Sequence, residues 1–298
     1  MAELRSCPVC GGTDFSDLFD ARDHLVTGES FHIAQCCGCG LAVTANPPDE
    51  QDIGRYYQSD DYISHSDKRQ SLTERFYHLA RRYMLGRKQR LVSRATGKKT
   101  GTIIDIGSGT GYFASFMQKK GWNVTGVELD DRAREFSAAK FGIRSLEPAG
   151  ISDLDDASAD CVTLWHVLEH LYDPGRWMAE IRRILAGDGR CIIALPNMES
   201  SDAQWFGKNW AALDVPRHLW HFPPDTVLRL AEEHGFACEA IHSLPLDLIY
   251  ISALSYRNRG RRLALLRGVA TGLFLAVVNL FRRNKASSLI YVLSKRKS

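Results

Sequence analysis

The chain has 298 residues, 44% of them apolar and 24% charged, with a formal net charge of +3. These proportions exclude a disordered or collagenous chain and leave room for one large globular domain with an appendage. The small net charge hides a split: Leu248 to the end holds 11 Lys/Arg and no Asp or Glu, while the first 247 residues hold 27 basic and 35 acidic side chains.

Met1 is followed by Ala2-Glu3-Leu4-Arg5 and then by cysteines, not by an apolar run, so a cytoplasmic protein with reduced thiols is expected. Cys7-Pro8-Val9-Cys10-Gly11 and Cys36-Cys37-Gly38-Cys39-Gly40 form two C-x-x-C-G knuckles. Each such turn offers two thiolates on one side of the backbone, and the glycine after it lets N–H groups turn toward sulfur. The pair suits a closed, structural Cys₄ zinc ribbon over residues 1–46, with Cys7, Cys10, Cys36 and Cys39 as ligands. A disulfide pair or free thiols are the alternatives. Residues 1–46 have few Lys or Arg and several acids, which argues against nucleic acid as a partner. The ribbon is expected to pack on the main domain.

Residues 47–100 read as a helical cap or linker. The run Tyr56-Tyr57-Gln58-Ser59-Asp60-Asp61-Tyr62 precedes a helix over 68–96, whose apolar face would carry Leu72, Phe76, Leu79, Tyr83 and Leu91.

Next comes Thr102-Ile103-Ile104-Asp105-Ile106-Gly107-Ser108-Gly109-Thr110-Gly111, then Tyr112-Phe113-Ala114. The pattern is strand, tight glycine turn, helix, with glycines where backbone takes unusual dihedrals or approaches a ligand. A P-loop would need Gly-Lys-Ser/Thr, and a dinucleotide fingerprint spaces its glycines G-x-G-x-x-G. The order Asp-x-Gly-x-Gly-x-Gly at 105–111 instead resembles the first motif of the class I S-adenosylmethionine (SAM) methyltransferases. The resemblance implies a doubly wound, Rossmann-like α/β domain over 101–298 and a cofactor held by Asp105, Gly107, Gly109 and Gly111. A second strand over 121–127 ends at Glu128, about 20 residues past the turn, where an acid can accept both ribose hydroxyls; Leu129 beside it is the next expected contact.

A helix over 132–141 follows. Where the family has an acid before an apolar adenine contact, this chain has Gly150 before Ile151, leaving the backbone of Ile151 or the nearby Asp153 to meet adenine. Residues 159–165 read as a strand ending in Trp165-His166-Val167-Leu168-Glu169-His170-Leu171, which resembles the family's fourth-strand motif and implies contacts from Trp165 and His166 to the methionine moiety. His-x-x-Glu-His after a strand lacks the order and the third ligand of a helical zinc site. His170 is either bonded internally or catalytic.

A helix over 174–186 and a strand over 190–197 continue the alternation expected of a parallel sheet, and a helix over 224–234 and strands near 238–244 and 289–294 follow. Between them, residues 202–222 form an aromatic lid. Its run Asp214-Val215-Pro216-Arg217-His218-Leu219-Trp220-His221 resembles the segment of zinc-ribbon sugar C-methyltransferases, and related O-methyltransferases, that carries a Glu-His pair. Here Arg217 stands in the place of the Glu, so His218 matches the base and its acid partner is missing; His221 is the next candidate. Arg217 is free to neutralise a substrate phosphate or carboxylate.

Residues 255–285 are basic, and 263–281 are almost wholly apolar apart from Arg267. A single membrane span would strand 289–294 on the wrong side, so a helix in an anionic membrane interface and a buried or dimerisation helix remain. The expectation is thus an enzyme moving a methyl group from SAM to an oxygen or carbon of a small or glycan-type acceptor, lipid-linked or phosphorylated. It would be cytoplasmic and membrane-peripheral, with structural zinc. The competing reading is a SAM-binding docking module without catalysis. The Asp105-led glycine spacing disfavours a nicotinamide oxidoreductase.

Overall fold

A computed structural model describes residues 6–58, 72–244, 246–282 and 284–296, with 72–78 described by backbone alone. Ser59, Asp60, Asp61, Tyr62 and the side chains of Leu72 and Phe76 therefore lie outside the described residues.

The amino-terminal part is antiparallel. Strands β1 (Phe15–Arg22), β2 (Ser30–Cys36) and β3 (Ala42–Thr44) pair in sequence. Helix α1 (Leu72–Thr96) leads into β4 (Thr102–Ile106), α2 (Tyr112–Gln118), β5 (Asn123–Val127), α3 (Asp131–Phe141), β6 (Arg144–Leu146), β7 (Ala159–Trp165), α4 (Pro174–Ile184) and β8 (Leu185–Pro196). Then come α5 (Ser201–Phe206), the two-residue β9 (Trp220–His221), α6 (Pro224–Glu233), β10 (Phe236–Ser243), α7 (Asp247–Asn258), α8 (Ala264–Asn279) and β11 (Ser288–Lys295).

The large sheet runs β10-β11-β8-β7-β4-β5-β6. β4 pairs parallel with β5 and β7, and β7 with β8, while β11 is antiparallel to both neighbours. The chain winds outward from β4 through β5 to β6 and then restarts at β7 on the other side. The switch point lies between β4 and β7, and ligands of open α/β sheets bind outside the strand ends there.

Alternate residues of the central strands face opposite apolar layers, as a sheet buried on both faces requires. Ile104, Val162, Leu164, Ile193 and Tyr291 meet α4 and α6 on one side; Ile103, Cys161, Ile192 and Ile290 meet α1 and α2 on the other. The first layer continues without a break into Cys7, Val9, Leu41 and Val43, so the ribbon shares the main core.

Four elements differ from expectation. Among its described side chains, the apolar face of α1 is Met84, Leu85, Leu91, Val92 and Ala95, whereas Leu79 and Tyr83 are 65% and 48% exposed. β6 carries no strand pattern in the sequence, being a three-residue edge strand that begins Arg144-Ser145. β8 starts at Leu185, five residues before the expected 190, with an irregularity against β7 between Ala159 and Cys161. The ribbon is not confined to 1–46: β9, from the lid, adds to it as a fourth strand, pairing Ala42 with His221 and Val43 with Trp220.

Arg217, expected to face a substrate anion, is instead 1% exposed and ties three segments together. Its guanidinium donates to both carboxylate oxygens of Asp214, to Asp23 Oδ1 at 3.0 Å and to the Tyr56 carbonyl at 2.7 Å. Burial works against ionised Asp23, but Thr27 and Arg217 hold its carboxyl below the usual range. Removing one partner of such a buried group leaves the others uncompensated, so Arg217→Ala is expected to cost about 3–5 kcal/mol. Urea unfolding followed by tryptophan fluorescence measures it, and a loss below about 1 kcal/mol would contradict this account.

Candidate cofactor crevice and buried acid–histidine cluster

The glycine turn closes β4 with Gly107, Gly109 and Gly111 all at positive φ (+68°, +52° and +76°). A Cβ on Gly107 would stand 2.3 Å from Val167 Cγ2, and one on Gly111 2.1 Å from Ser137 Oγ, so neither position accepts a side chain. The Gly107 N–H donates to the Val127 carbonyl at 2.7 Å, fixing the turn against β5. Glu128, at the carboxyl end of β5, accepts from the Gly109 N–H at 2.7 Å and from the Asp130 N–H at 3.0 Å. Leu129 is 72% exposed beside it.

Asp105 is buried beneath the turn, its Oδ1 accepting from the Thr163 hydroxyl at 2.6 Å. Burial raises its pKa to about 7, against the opposing effects of Thr163 and Lys88. Lys88, from α1, lies 4.2 Å above the Trp165 ring, and its own pKa falls to about 8, chiefly through burial. The Trp165 Nε1 and Ser108 Oγ are buried without a partner among the described residues. Ile151 is buried in a short turn at Pro148–Asp153, where Gly150 donates its N–H to the Glu147 carbonyl. Asp153 is exposed at the end of that turn. The glycine turn, the orphaned donors and the acid at the next strand end fit a nucleoside-bearing cofactor.

Behind the crevice lies a polar cluster. His166, at φ +61°, sits between Glu169 (3.5 Å) and Asp247 of α7 (3.6 Å). Burial lowers its pKa, but these two carboxylates prevail and hold it up to about 9. Glu169 is fully buried, and His218 Nε2 approaches its Oε1 at 4.0 Å and Asp214 Oδ2 at 3.9 Å. His218 Nδ1 lies 2.9 Å from the Ala212 carbonyl, which can only accept; Nδ1 therefore carries a hydrogen, and in the neutral ring the lone pair is on Nε2. His170 packs edge-on against His218, with Nδ1 3.0 Å from both the Arg217 carbonyl and the Tyr57 hydroxyl. Burial lowers the pKa of His170 to about 4 and that of His221 to about 3. His221 Nε2 lies 3.1 Å from Thr44 Oγ1, whose own hydrogen goes to the His218 carbonyl, so His221 is held in a structural position within β9.

The structure thus brings His166, His170 and His218 together around Glu169 and sets His221 apart on the ribbon. In place of the missing adjacent Glu, His218 meets two acids, Asp214 from the lid itself and Glu169 from beyond the β7 end. Glu169 was visible in the sequence, but its pairing needed the fold; Lys88, Asp214 and Asp247 carried no local signal. Ligand atoms of Glu169, His170 and His218 lie within 4.8 Å of one another, so the lid supplies a third donor, absent from the local sequence, for a group that could hold a metal ion.

At the ribbon, Cys7 and Cys39 sulfurs are 3.5 Å apart and Cys10 and Cys36 sulfurs 3.4 Å apart, with all four within 4.8 Å. A tetrahedral zinc with bonds of about 2.3 Å spaces its sulfurs by about 3.8 Å, so the set fits. Cβ atoms on Gly12 and Gly38 would each crowd Cys10 Sγ at 3.3 Å. Cys37 is exposed and turned away.

This strand order, the glycine cradle and the acid after β5 define a class I SAM-dependent methyltransferase. Residues 76–241, more than half of the chain, match the family described as a methyltransferase domain, and the chain belongs to that family. A probable S-adenosylmethionine-dependent methyltransferase of Mycobacterium tuberculosis is 31% identical over 111 residues, 37% of this chain and 39% of that protein. A malonyl-[acyl-carrier protein] O-methyltransferase of Serratia marcescens is 28% identical over 148 residues, 48% of this chain and 56% of that one. The chain thus matches about two fifths to just over half of these relatives' lengths. A putative sarcosine dimethylglycine methyltransferase from Galdieria sulphuraria shares the fold, with a TM-score of 0.50 at 14% identity, covering 73% of this chain and 86% of that one.

Two outcomes are expected from this geometry. Purified protein should carry one zinc per chain by mass spectrometry, lost in Cys39→Ser; a second equivalent lost in His218→Ala would place a further ion at Glu169, His170 and His218. Because the His166 pKa is raised from 6.5 to about 9, its stabilisation is fully present below pH 6.5 and disappears as pH rises through about 9. Wild type should therefore melt roughly a few degrees above His166→Gln at pH 6 and converge with it by about pH 10; a pH-independent gap would refute the charged pairing.

Proposed function

We propose that the protein transfers a methyl group from SAM to an oxygen or carbon of a small or glycan-type acceptor, lipid-linked or phosphorylated, with His218 accepting the proton. The carrying observation is the glycine turn at 107–111, with Gly107, Gly109 and Gly111 at positive φ, facing Glu128 across the ends of adjacent parallel strands. In this reading Asp105, Gly107, Gly109 and Gly111 hold the amino-acid end of the cofactor, with Trp165 and His166 along its methionine. Glu128 and Leu129 take the ribose, and Ile151 the adenine. When bound, SAM supplies a methyl group already activated by a sulfonium.

The remaining work falls to this chain's own residues. Methylation of O–H or an acidic C–H releases a proton, and His218 Nε2 is the lone pair available for it. Glu169 and Asp214 then stabilise the resulting imidazolium, as the carboxylates nearest that nitrogen. His170, kept neutral by burial, packs beside it without competing for the charge. The half-exposed wall of His166, cationic at neutral pH, favours an acceptor that carries or develops negative charge. The O-methyltransferase among the relatives supports an oxygen acceptor.

Calorimetric titration with SAM, its demethylated product and NADH tests the cofactor: micromolar SAM binding abolished by Glu128→Ala is expected. With radiolabelled SAM and glycan or lipid extracts, His218→Ala should keep SAM binding and lose about 10²–10⁴ in turnover. SAM binding with no label transferred to any extract would favour the docking-module reading instead.

A further inference from the structure

Helices α7 and α8 form an antiparallel hairpin whose packing is unusually close. A Cβ on Gly268 would lie 2.3 Å from Ala253 Cα, and one on Gly272 2.8 Å from Ile249 Cα. Two glycines four apart thus let one strip of α8 bury itself backbone-to-backbone, and only Gly268, Gly272 and Leu275 of that helix are buried. The rest of its surface is apolar and open: Leu265, Leu266, Leu273, Phe274, Val277 and Phe281 are each between 55% and 86% exposed. A contiguous apolar face of this kind marks an interaction site.

Charge selects the occupant. Exposed Arg257, Arg261 and Arg262 lie at the α7–α8 turn, Arg267 on the first turns of α8, and Arg282 beyond its other end. No acid occurs after Asp247. Self-association through this face would set arginine against arginine, whereas an anionic lipid surface complements it. At 16 residues α8 is about 24 Å long, shorter than a hydrocarbon core of about 30 Å, and no helix among the described residues is long and apolar enough to cross a membrane. Cationic residues at both ends match a helix lying in the plane of the headgroups.

We propose that the exposed face of α8 docks the protein onto an anionic phospholipid bilayer. Since α7 and α8 are antiparallel, the Leu280–Phe281 end of the hairpin is the end that supplies Asp247 to His166, so docking brings the crevice close to the lipid surface. An amphiphilic acceptor could then reach the crevice without leaving the bilayer.

The test needs neither SAM nor an acceptor. Full-length protein is floated with vesicles of phosphatidylglycerol and phosphatidylcholine, and with phosphatidylcholine alone. Binding is expected only to the anionic vesicles, weakened at least tenfold in Leu273→Glu/Phe274→Glu. In Arg261→Gln/Arg262→Gln/Arg282→Gln it should weaken on the order of a hundredfold at low salt. An unchanged circular dichroism spectrum and melting temperature show that the exposed substitutions leave the fold intact. Absence of binding to anionic vesicles, or binding indifferent to Leu273 and Phe274, overturns the proposal. So does a lipid-free dimer, seen by light scattering, that the Glu variant dissolves, since it would make the face a contact between copies.

Discussion

The buried guanidinium of Arg217 is the constraint on which the rest of the site depends. Its bonds reach the ribbon at Asp23, the connection to α1 at Tyr56 and the lid at Asp214. A charge so deeply withdrawn from water is tolerated only when each donor finds an acceptor, and that requirement leaves the three segments one mutual arrangement. Asp23 is itself fixed by the backbone of Leu25, Val26 and Thr27, so the anchor is rigid on both sides. With the lid pinned at 214–217, His218 has one place to go, against Glu169.

Charges then alternate inward from that anchor. Asp23, Arg217, Asp214, His218, Glu169, His166 and Asp247 follow one another from the ribbon to the cofactor crevice. Each carboxylate in the series is flanked by cationic or protonatable groups, and this is what allows a fully buried Glu169 to stay ionised despite desolvation. A proton arriving at His218 is therefore received between two anions, while His166 remains charged nearer the crevice.

How much of this the sequence disclosed follows the range of the interactions. The turn at 105–111, the acid at 128 and the paired knuckles are local, because each is a backbone shape written into adjacent residues, and all three stand where their spacing put them. The Cys₄ geometry and the strand alternation after Thr102 were legible for the same reason. Contacts between distant segments were not. Arg217 reads as a cation for a substrate anion, and its bonds to Asp23 and the Tyr56 carbonyl, 194 and 161 residues away, make it structural instead. Glu169 lies in plain sight one residue before His170, but its approach to His218, 49 residues on in another segment, needs the fold. On α1, Leu91 packs as expected while Leu79 and Tyr83 stay exposed, because helical periodicity says which residues align, not how much of the helix the sheet covers.

The ribbon accordingly belongs to the wall that carries His218 more than to the periphery. Cys36 ends β2 and Cys39 precedes β3, so the proposed zinc would fix the turn joining those strands. β3 pairs with β9, and Thr44 at its end accepts from His221 and donates to the His218 carbonyl. A bound ion at the four sulfurs is thus two strands from the proposed base, connected by main-chain pairing and not by flexible linker. A closed Cys₄ site has no open coordination position with which to do chemistry. An ion there would act mechanically: it would hold the strand against which the lid is registered, and with it the position of His218 relative to Glu169.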